Sequence, residues 1–303
     1  MAAAVSVLGV IADTVGIYGF LASLFTRQTA NTCNVRVGAA LNGGSGPSGG
    51  DGSLQMIRIY NDNEQVLGST YGSYIRSGEF QDYKIGQANG QQAAFAILYG
   101  STDAICVPYV TTTWTDGQQF GWVGDWGRVC GLDWYYSNVY VDSSDRKPLC
   151  TWLDSDHTNG LKVSAIAIHF PSFSTRGTYS RNPSSYCGPK AFRAYRENDG
   201  SGALLGKREA TRARRAADTR LVVSSDPSHL ATDLCQSETS RGPDFISMVE
   251  GLFCDMETRQ VLKVCAGDVK ADCVHMPGNS SVAVVKRDGS TTEKGYTAVV
   301  NWN

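Results

Sequence analysis

Short apolar runs with β-branched and aromatic residues dominate the first half of the chain. Six such runs predict strands because their side chains alternate or are continuously apolar over four or more positions, at residues 34–41, 54–60, 93–100, 104–114, 134–141 and 162–170. Asp116-Gly117 and Asn159-Gly160 lie between such runs and are typical of hairpin turns. Since no amphipathic helix separates the strands, the pattern predicts an antiparallel β-sandwich or jelly-roll-like domain over residues 27–175.

The C-terminal residues 221–303 have a mixed pattern. The tripeptide Asp-Pro-Ser at 226–228 predicts the start of a short helix that runs to Cys235, because proline is tolerated at the first helical positions. Two later apolar runs, 281–288 and 296–302, are expected to pair as strands through an intervening glycine turn. We therefore expect a smaller, disulfide-rich α+β domain here, and a chain that is mainly β.

Residues 1–26 are small or apolar apart from a single charge, Asp13. One interpretation is a signal peptide cleaved near Ala22 or just after Ala30. Another is an apolar helix over residues 1–25 that is retained and either inserts into a membrane or self-assembles, since its glycines allow close helix approach. A buried core helix is the third.

Charge is distributed unevenly. The formal net charge of −2 argues against a generally basic nucleic-acid binder. Residues 176–220 nevertheless hold 11 of the 27 Lys and Arg residues against 4 Asp and Glu, and both flanking regions are net acidic. A segment of this composition buries little apolar surface, so it is expected to be a solvated linker between two domains.

The linker contains the motif LLGKREATRARRA at residues 204–216. Its basic residues are Lys207, Arg208, Arg212, Arg214 and Arg215. The dibasic pair followed by Glu-Ala resembles the processing sites of secreted fungal precursors, in which a kexin-type protease cuts after the pair. The order of apolar leader, domain, basic spacer and Cys-rich domain is similar to that of fungal two-chain toxins and effectors, including yeast killer-toxin precursors. The resemblance implies secretion and maturation by cleavage; a solvated tether or an anion-binding patch is the alternative.

Nine cysteines predict a disulfide framework formed in an oxidising compartment. They are Cys33, Cys106, Cys130, Cys150, Cys187, Cys235, Cys254, Cys265 and Cys273, with no C-x-x-C pair among them. Five precede the dibasic motif and four follow it, so either one thiol is unpaired or some bridges connect the two halves. Asn279 begins an Asn-Ser-Ser glycosylation sequon, which fits secretion.

An aromatic-rich segment spans residues 114–140. Its candidate glycan-binding residues are Trp114, Trp122, Trp126, Trp134, Tyr135 and Tyr136. These rings could form a platform on which sugars stack, or they could fill the core of a sandwich, where large aromatic residues usually lie.

The remaining chemistry is sparse. The run at Asp154 and Asp156 resembles part of a calcium loop but misses its spacing, which favours an ordinary turn. The glycine-rich loop at 42–52 leads into a strand, where a dinucleotide fingerprint needs a helix. His169 ends an apolar strand and is expected to be a satisfied core or edge residue. We find no motif for a metal, a cofactor or a catalytic residue.

These features favour a secreted, non-enzymatic protein of two domains, matured by a kexin-type protease within residues 204–216 and acting as a toxin-like or host-directed effector. An extracellular carbohydrate-binding protein, using the aromatic segment on cell-surface glycans, is one alternative. A membrane-inserting or self-assembling protein is another, and an extracellular hydrolase built around His157 or His229 is a further one. No nucleic-acid partner is expected.

Overall fold

The structure is a computed structural model that describes residues 5–11, 14–29, 31–40, 49–87, 91–158, 160–176, 180–198, 218–267, 269–276 and 281–302. Contacts divide these residues into two compact units, which comprise the described parts of 5–198 and of 218–302. Each unit contains its own sheets and its own buried apolar cluster.

The strands of the first unit are β1 (Val5–Ile11), β2 (Thr14–Phe20), β3 (Thr32–Gly38), β4 (Gly52–Tyr60), β5 (Val66–Tyr71), β6 (Tyr74–Ile75), β7 (Phe80–Gly86), β8 (Phe95–Gly100), β9 (Ile105–Val107), β10 (Tyr109–Thr113), β11 (Gln119–Val123), β12 (Trp134–Tyr135), β13 (Cys150–Leu153), β14 (Ala165–His169) and β15 (Phe192–Tyr195). One α-helix, α1 (Asp125–Val129), and 3-10 helices at Ala22–Leu24, Phe170–Phe173 and Pro183–Tyr186 complete the described elements.

These strands form a two-stranded sheet (β1-β2), a four-stranded sheet (β11-β10-β3-β7), a three-stranded sheet (β12-β13-β9) and a six-stranded sheet (β15-β14-β8-β4-β5, with β6 also paired to β4). All their pairings are antiparallel. The prediction of a β-rich, antiparallel first half is confirmed.

One continuous core lies beneath these sheets. Because successive strand residues face opposite sides, Ile57 and Ile59 of β4 are fully buried while the residues between and beside them are partly exposed. Val35 and Val37 of β3 belong to the same buried cluster. The six-stranded sheet thus has one apolar face in the core and one face open to solvent.

The N-terminal residues form a β-hairpin, so the expectation of a helix over residues 1–25 is wrong. Strands β1 and β2 pair along their whole length, with Gly9 opposite Gly16. The ring of Tyr18 occupies the space that a Cβ on Gly9 would need, so the glycine permits this close approach. Val7 and Phe20 of the hairpin are fully buried in the core of the unit. In the described part of the chain, no helix has the length and apolar character needed to cross a bilayer.

The signal-peptide interpretation stays a prediction. Cleavage near Ala22 would remove both hairpin strands from the core, which makes the N-terminal sequence of the mature protein an informative measurement.

The solvated linker predicted over residues 176–220 begins too early. Strand β15 pairs with β14, and Phe192 is fully buried in the first unit. A disulfide also joins Cys187 to Cys130. At the other end, a strand of the second unit begins at Arg220. The dibasic motif itself, with Lys207, Arg208, Arg212, Arg214 and Arg215, lies outside the described residues.

The strands of the second unit are β16 (Arg220–Ser224), β17 (Asp244–Ser247), β18 (Leu252–Asp255), β19 (Gln260–Val264), β20 (Cys273–His275), β21 (Ser281–Val285), β22 (Thr291–Gly295) and β23 (Ala298–Trp302), with one helix, α2 (Ala231–Gln236). They form one mixed sheet in the order β22-β21-β20-β19-β18-β17-β16-β23. The expected pairing of runs 281–288 and 296–302 is wrong, because β21 pairs with β22 and β20 while β23 pairs in parallel with β16.

Eight of the nine cysteines form four disulfides, so the predicted framework is confirmed. The pairs are Cys106–Cys150, Cys130–Cys187, Cys235–Cys254 and Cys265–Cys273. Cys33, a disulfide candidate, is instead a buried free thiol whose Sγ lies 2.8 Å from Gln87 Oε1. Burial raises the pKa of this thiol to about 11, so it is protonated at neutral pH.

Candidate functional site

The aromatic segment does not form a sugar-stacking platform. All six candidate rings are buried, with at most 1% of their surface exposed: Trp114, Trp122, Trp126, Trp134, Tyr135 and Tyr136. A ring in this environment cannot offer its face to a ligand. The alternative of core packing is what the structure shows for these residues.

Two of the tryptophans instead pack against a short 3-10 helix. Trp114 packs edge-to-face on Phe170 at a centroid distance of 5.7 Å, and Trp126 packs on Phe173 at 5.1 Å. Phe170 and Phe173 are the first and last residues of a 3-10 helix that follows β14 directly. Because both of its ends are fixed in the core, this short helix holds Ser172, the partly exposed residue between them, in a defined place.

The outer face of the six-stranded sheet carries a cluster of histidine, arginine and tyrosine side chains. Strand register places His169, Phe95 and Tyr60 in one row across β14, β8 and β4. The next rows on the same face contain Arg58, Ile97 and Arg193, and then Tyr99 and Tyr195. Their inward-facing neighbours on the same strands are core residues.

This face has a small concavity of about 80 Å³, lined by Tyr60, Glu64, Phe95, Ile97, Arg193 and Tyr195. Arg193 forms an ion pair of 3.0 Å with Glu64, and its guanidinium carbon lies 5.3 Å from the centre of the Phe95 ring. Its Nε is buried, and no described residue accepts a hydrogen bond from it. The concavity therefore combines aromatic and aliphatic walls with a partly engaged cation.

His169 lies beside the concavity and forms a chain of hydrogen bonds. Its Nδ1 is 2.6 Å from Ser172 Oγ, and its Nε2 is 3.0 Å from Asp62 Oδ1. The imidazole ring stacks against Phe95 at 4.5 Å, so Phe95 is shared by this chain and the concavity. The His169 side chain is 18% exposed and that of Asp62 is 77% exposed. The expectation that His169 is a satisfied core or edge residue is thus confirmed for its hydrogen bonds.

The loop between β4 and β5 brings Asp62 to His169. Asn61 is nearly buried, and its Oδ1 accepts hydrogen bonds from the backbone N–H groups of Asn63 at 3.0 Å and Gln65 at 2.9 Å. Its amide also donates to Gln91 Oε1 at 2.6 Å. Such an Asx turn fixes the local backbone, which here places Glu64 at a left-handed φ of 58°. Asp62 and Glu64 consequently project from a constrained loop.

A second serine–histidine pair lies in the other unit, at the end of β16. Ser224 Oγ is 2.9 Å from His229 Nδ1, and the Ser224 hydroxyl also accepts a hydrogen bond from the backbone N–H of Asp226 at 3.2 Å. The His229 ring is 1% exposed and contacts Trp302 at 5.5 Å and Phe245 at 6.4 Å. Aromatic side chains therefore seal this pair from solvent.

Two further candidates from the sequence, His157 and Asp156, take part in local turns. His157 engages the backbone carbonyl of Leu161 at 2.9 Å in its own turn. Asp156 accepts hydrogen bonds from the backbone and hydroxyl of Thr158, as in an ordinary Asx turn. The described residues contain no group of three or more His, Cys, Asp or Glu that could hold a metal ion. Asn279 and the first part of the glycine-rich loop lie outside the described residues.

One buried carboxylate attaches the N-terminal hairpin to the rest of the unit. Asp125 accepts hydrogen bonds from the Tyr18 hydroxyl and from the backbone N–H of Leu149, both at 3.2 Å. Burial raises the pKa of Asp125 to about 7, and burial together with the nearby carboxylate raises the pKa of Tyr18. Arg146 lies 5.0 Å from the centre of the Tyr18 ring and donates to the carbonyl of Ile17.

No known family model and no curated protein matches this chain.

Proposed function

We propose that this protein is secreted as a precursor of two disulfide-bridged units, is cut within residues 204–216, and acts outside the cell as a toxin-like or host-directed effector. The observation that carries the proposal is the distribution of the disulfides. Two of them close within residues 106–187 and two within residues 235–273. All nine cysteines are described, and none of the bridges spans the basic segment.

Each unit keeps its own covalent reinforcement if the chain is cut between them. Disulfides form and persist in oxidising compartments, which supports an extracellular destination. The segment with Lys207, Arg208, Arg214 and Arg215 supplies adjacent cations for the acidic subsites of a kexin-type protease. Since no disulfide joins the halves, cleavage would yield two separate chains without any need for reduction.

Gel electrophoresis of the protein secreted by a kexin-containing host tests this. We expect two bands without reducing agent and the same two bands with it. Replacing Lys207, Arg208, Arg214 and Arg215 together by alanine should leave a single band whose mass is about the sum of the two fragments. Edman or mass-spectrometric sequencing of the new N-terminus should place the cut between residues 208 and 216.

The chain offers a matched control in a second dibasic pair, Lys286-Arg287. This pair lies in the turn that joins β21 to β22, where Lys286 N–H donates to Ser290 O at 2.9 Å. Because a protease needs an extended segment, alanine at both of these positions should leave the two-band pattern unchanged. An uncut secreted wild-type chain, or loss of cleavage in the control alone, contradicts the proposal.

A further inference from the structure

The serine, histidine and aspartate on the outer face of the six-stranded sheet are arranged as nucleophile, base and orienting group. Ser172 Oγ is within 2.6 Å of the imidazole, and the imidazole is within 3.0 Å of the carboxylate. A base that contacts the nucleophile and is itself oriented by a third group is the geometric requirement for an activated serine. Ser172 and His169 are three residues apart, whereas Asp62 is 107 residues from His169 and is brought to it by the fold.

The hydrogen-bond partners of His169 define its tautomer. A carboxylate only accepts hydrogen bonds, so Nε2 carries the proton and donates it to Asp62. Nδ1 is then the acceptor and faces the Ser172 hydroxyl. The two ring nitrogens have exchanged the partners they have in chymotrypsin-like triads, but the chemical roles of base and orienting group are unchanged.

Accessibility distinguishes this arrangement from a structural hydrogen bond. Ser172 and His169 are both partly exposed, and Asp62 projects into solvent. Ser172 is nevertheless fixed, because Phe170 and Phe173 on either side of it are anchored in the core. A rigid, accessible hydroxyl next to a base can react with a molecule that approaches from solvent.

We propose that Ser172 is the nucleophile of a hydrolytic site for small carboxylic esters, with His169 as the general base and Asp62 as its orienting group. The Oγ attacks the ester carbonyl carbon and forms a C–O bond as its proton passes to His169 Nδ1. The bond to the leaving alkoxide breaks, and the alkoxide takes that proton. Water then attacks the carbonyl carbon of the acyl-Ser172 ester and gives a proton to His169. His169 returns that proton to Ser172 Oγ as the C–O bond breaks, which releases the free carboxylic acid.

The proposal of a small ester rests on the neighbouring concavity, which shares Phe95 with the hydrogen-bonded chain of Ser172, His169 and Asp62. Its volume of about 80 Å³ accommodates a short acyl or a small aromatic group but not a long chain. Tyr60, Phe95 and Ile97 provide apolar contacts for that group.

A fluorophosphonate probe, which phosphonylates activated serines, tests the site on the full-length protein. We expect one adduct, mapped by peptide mass spectrometry to Ser172, and no adduct in Ser172→Ala. The matched control is Ser174→Ala, because Ser174 follows the same 3-10 helix but has no histidine partner among its described hydrogen bonds. This control should be labelled as the wild type is.

The base and the orienting group have separate tests. His169→Gln keeps a planar, polar side chain but removes the base, and should lower the labelling rate and p-nitrophenyl acetate hydrolysis about 100-fold. Asp62→Asn should lower both roughly tenfold, since solvent already screens this exposed carboxylate. The far-ultraviolet circular dichroism of each variant reports whether it has folded.

An unlabelled wild-type protein, labelling on another serine, or equal labelling of wild type and His169→Gln overturns the inference. The result does not depend on the proposed maturation, because the probe acts within residues 61–173 whether or not the basic segment is cut. Cleavage without labelling removes only the hydrolytic site, and labelling without cleavage removes only the precursor proposal.

Discussion

The two units each contain a serine–histidine hydrogen bond, and the two pairs differ in what surrounds them. Ser172–His169 lies on a solvent-facing sheet surface beside a concavity and an exposed carboxylate. Ser224–His229 has a similar distance, 2.9 Å, but lies beneath Trp302 and Phe245. The same two residue types can therefore have two roles. A reactive pair must be accessible to a reactant, whereas a pair that stabilises a core must be shielded from water.

The comparison shows why histidine counts and spacing say little about function. In the sequence, Ser224 and His229 lie five residues apart and Ser172 and His169 three apart, so both pairs are local. Only the surroundings contributed by other strands decide which pair a ligand can reach. For the accessible pair these surroundings also include the orienting carboxylate of Asp62.

The largest expected effect concerns the buried pair. His229→Ala removes a ring that is 1% exposed and leaves a cavity between Trp302 and Phe245, so it should lower the free energy of unfolding of the second unit by about 4 kcal/mol. Hydrogen exchange of peptides from β16 and β17 measures this locally. His275→Ala, at an exposed position on β20, is the control and should change it by less than about 0.5 kcal/mol.

The comparison extends to carboxylates, since Asp125 is sealed and Asp62 is exposed. The folded pKa of Asp125 is about 7 against an ordinary value of 3.8, so the folded state binds this proton more tightly than the unfolded state. The resulting stability is fully present below about pH 4 and is lost as the pH rises to about 7, a change of about 4 kcal/mol. Above that pH, the contribution no longer changes.

Asp125→Asn should remove this dependence of the free energy of unfolding on pH, which we call the slope. It is measured by thermal unfolding of the first unit at a series of pH values. Asp62→Asn is the comparison variant and should retain the slope that Asp125 produces. An unchanged slope in Asp125→Asn would show that the pH dependence of the first unit arises from other groups.

The pattern of apolar and polar residues along the chain predicted the strands that carry the candidate site. Runs 54–60 and 93–100 correspond to β4 and β8, and run 162–170 contains β14, because one half of each run faces the core. Run 134–141 yields only the two residues of β12. The N-terminal hairpin could not be predicted as a pair of strands, because its strands have no polar face and period-two alternation is absent.

The candidate site itself could not be read from the sequence. His169 and Asp62 are 107 residues apart and meet only because β4 and β14 both pair with β8. The burial of the tryptophans also depends on the tertiary fold. The sequence left a sugar-stacking platform and core packing open, and the fold shows that the 3-10 helix at Phe170–Phe173 packs against Trp114 and Trp126. The spacing of Ser172 three residues after His169 was the local signal available in the sequence.

The smallest effect on stability, and the sharpest test of how the accessible site is positioned, concerns Asn61. Asn61→Ala removes the acceptor of the Asx turn and should lower the stability of the first unit by about 1 kcal/mol. Because the loop then no longer holds Asp62 against His169, fluorophosphonate labelling of Ser172 should fall roughly threefold, a part of the tenfold loss expected for Asp62→Asn. Asn61→Asp retains the acceptor oxygens and should restore most of the labelling.

Asn63→Ala is the matched control for this test, since Asn63 is an exposed residue of the same loop whose backbone, not its side chain, contacts Asn61. It should leave both labelling and stability unchanged. If Asn61→Ala lowered stability but left labelling at the wild-type rate, the loop would stabilise the fold without positioning Asp62. The accessible pair would then resemble the buried one, as a hydrogen bond that contributes only to structure.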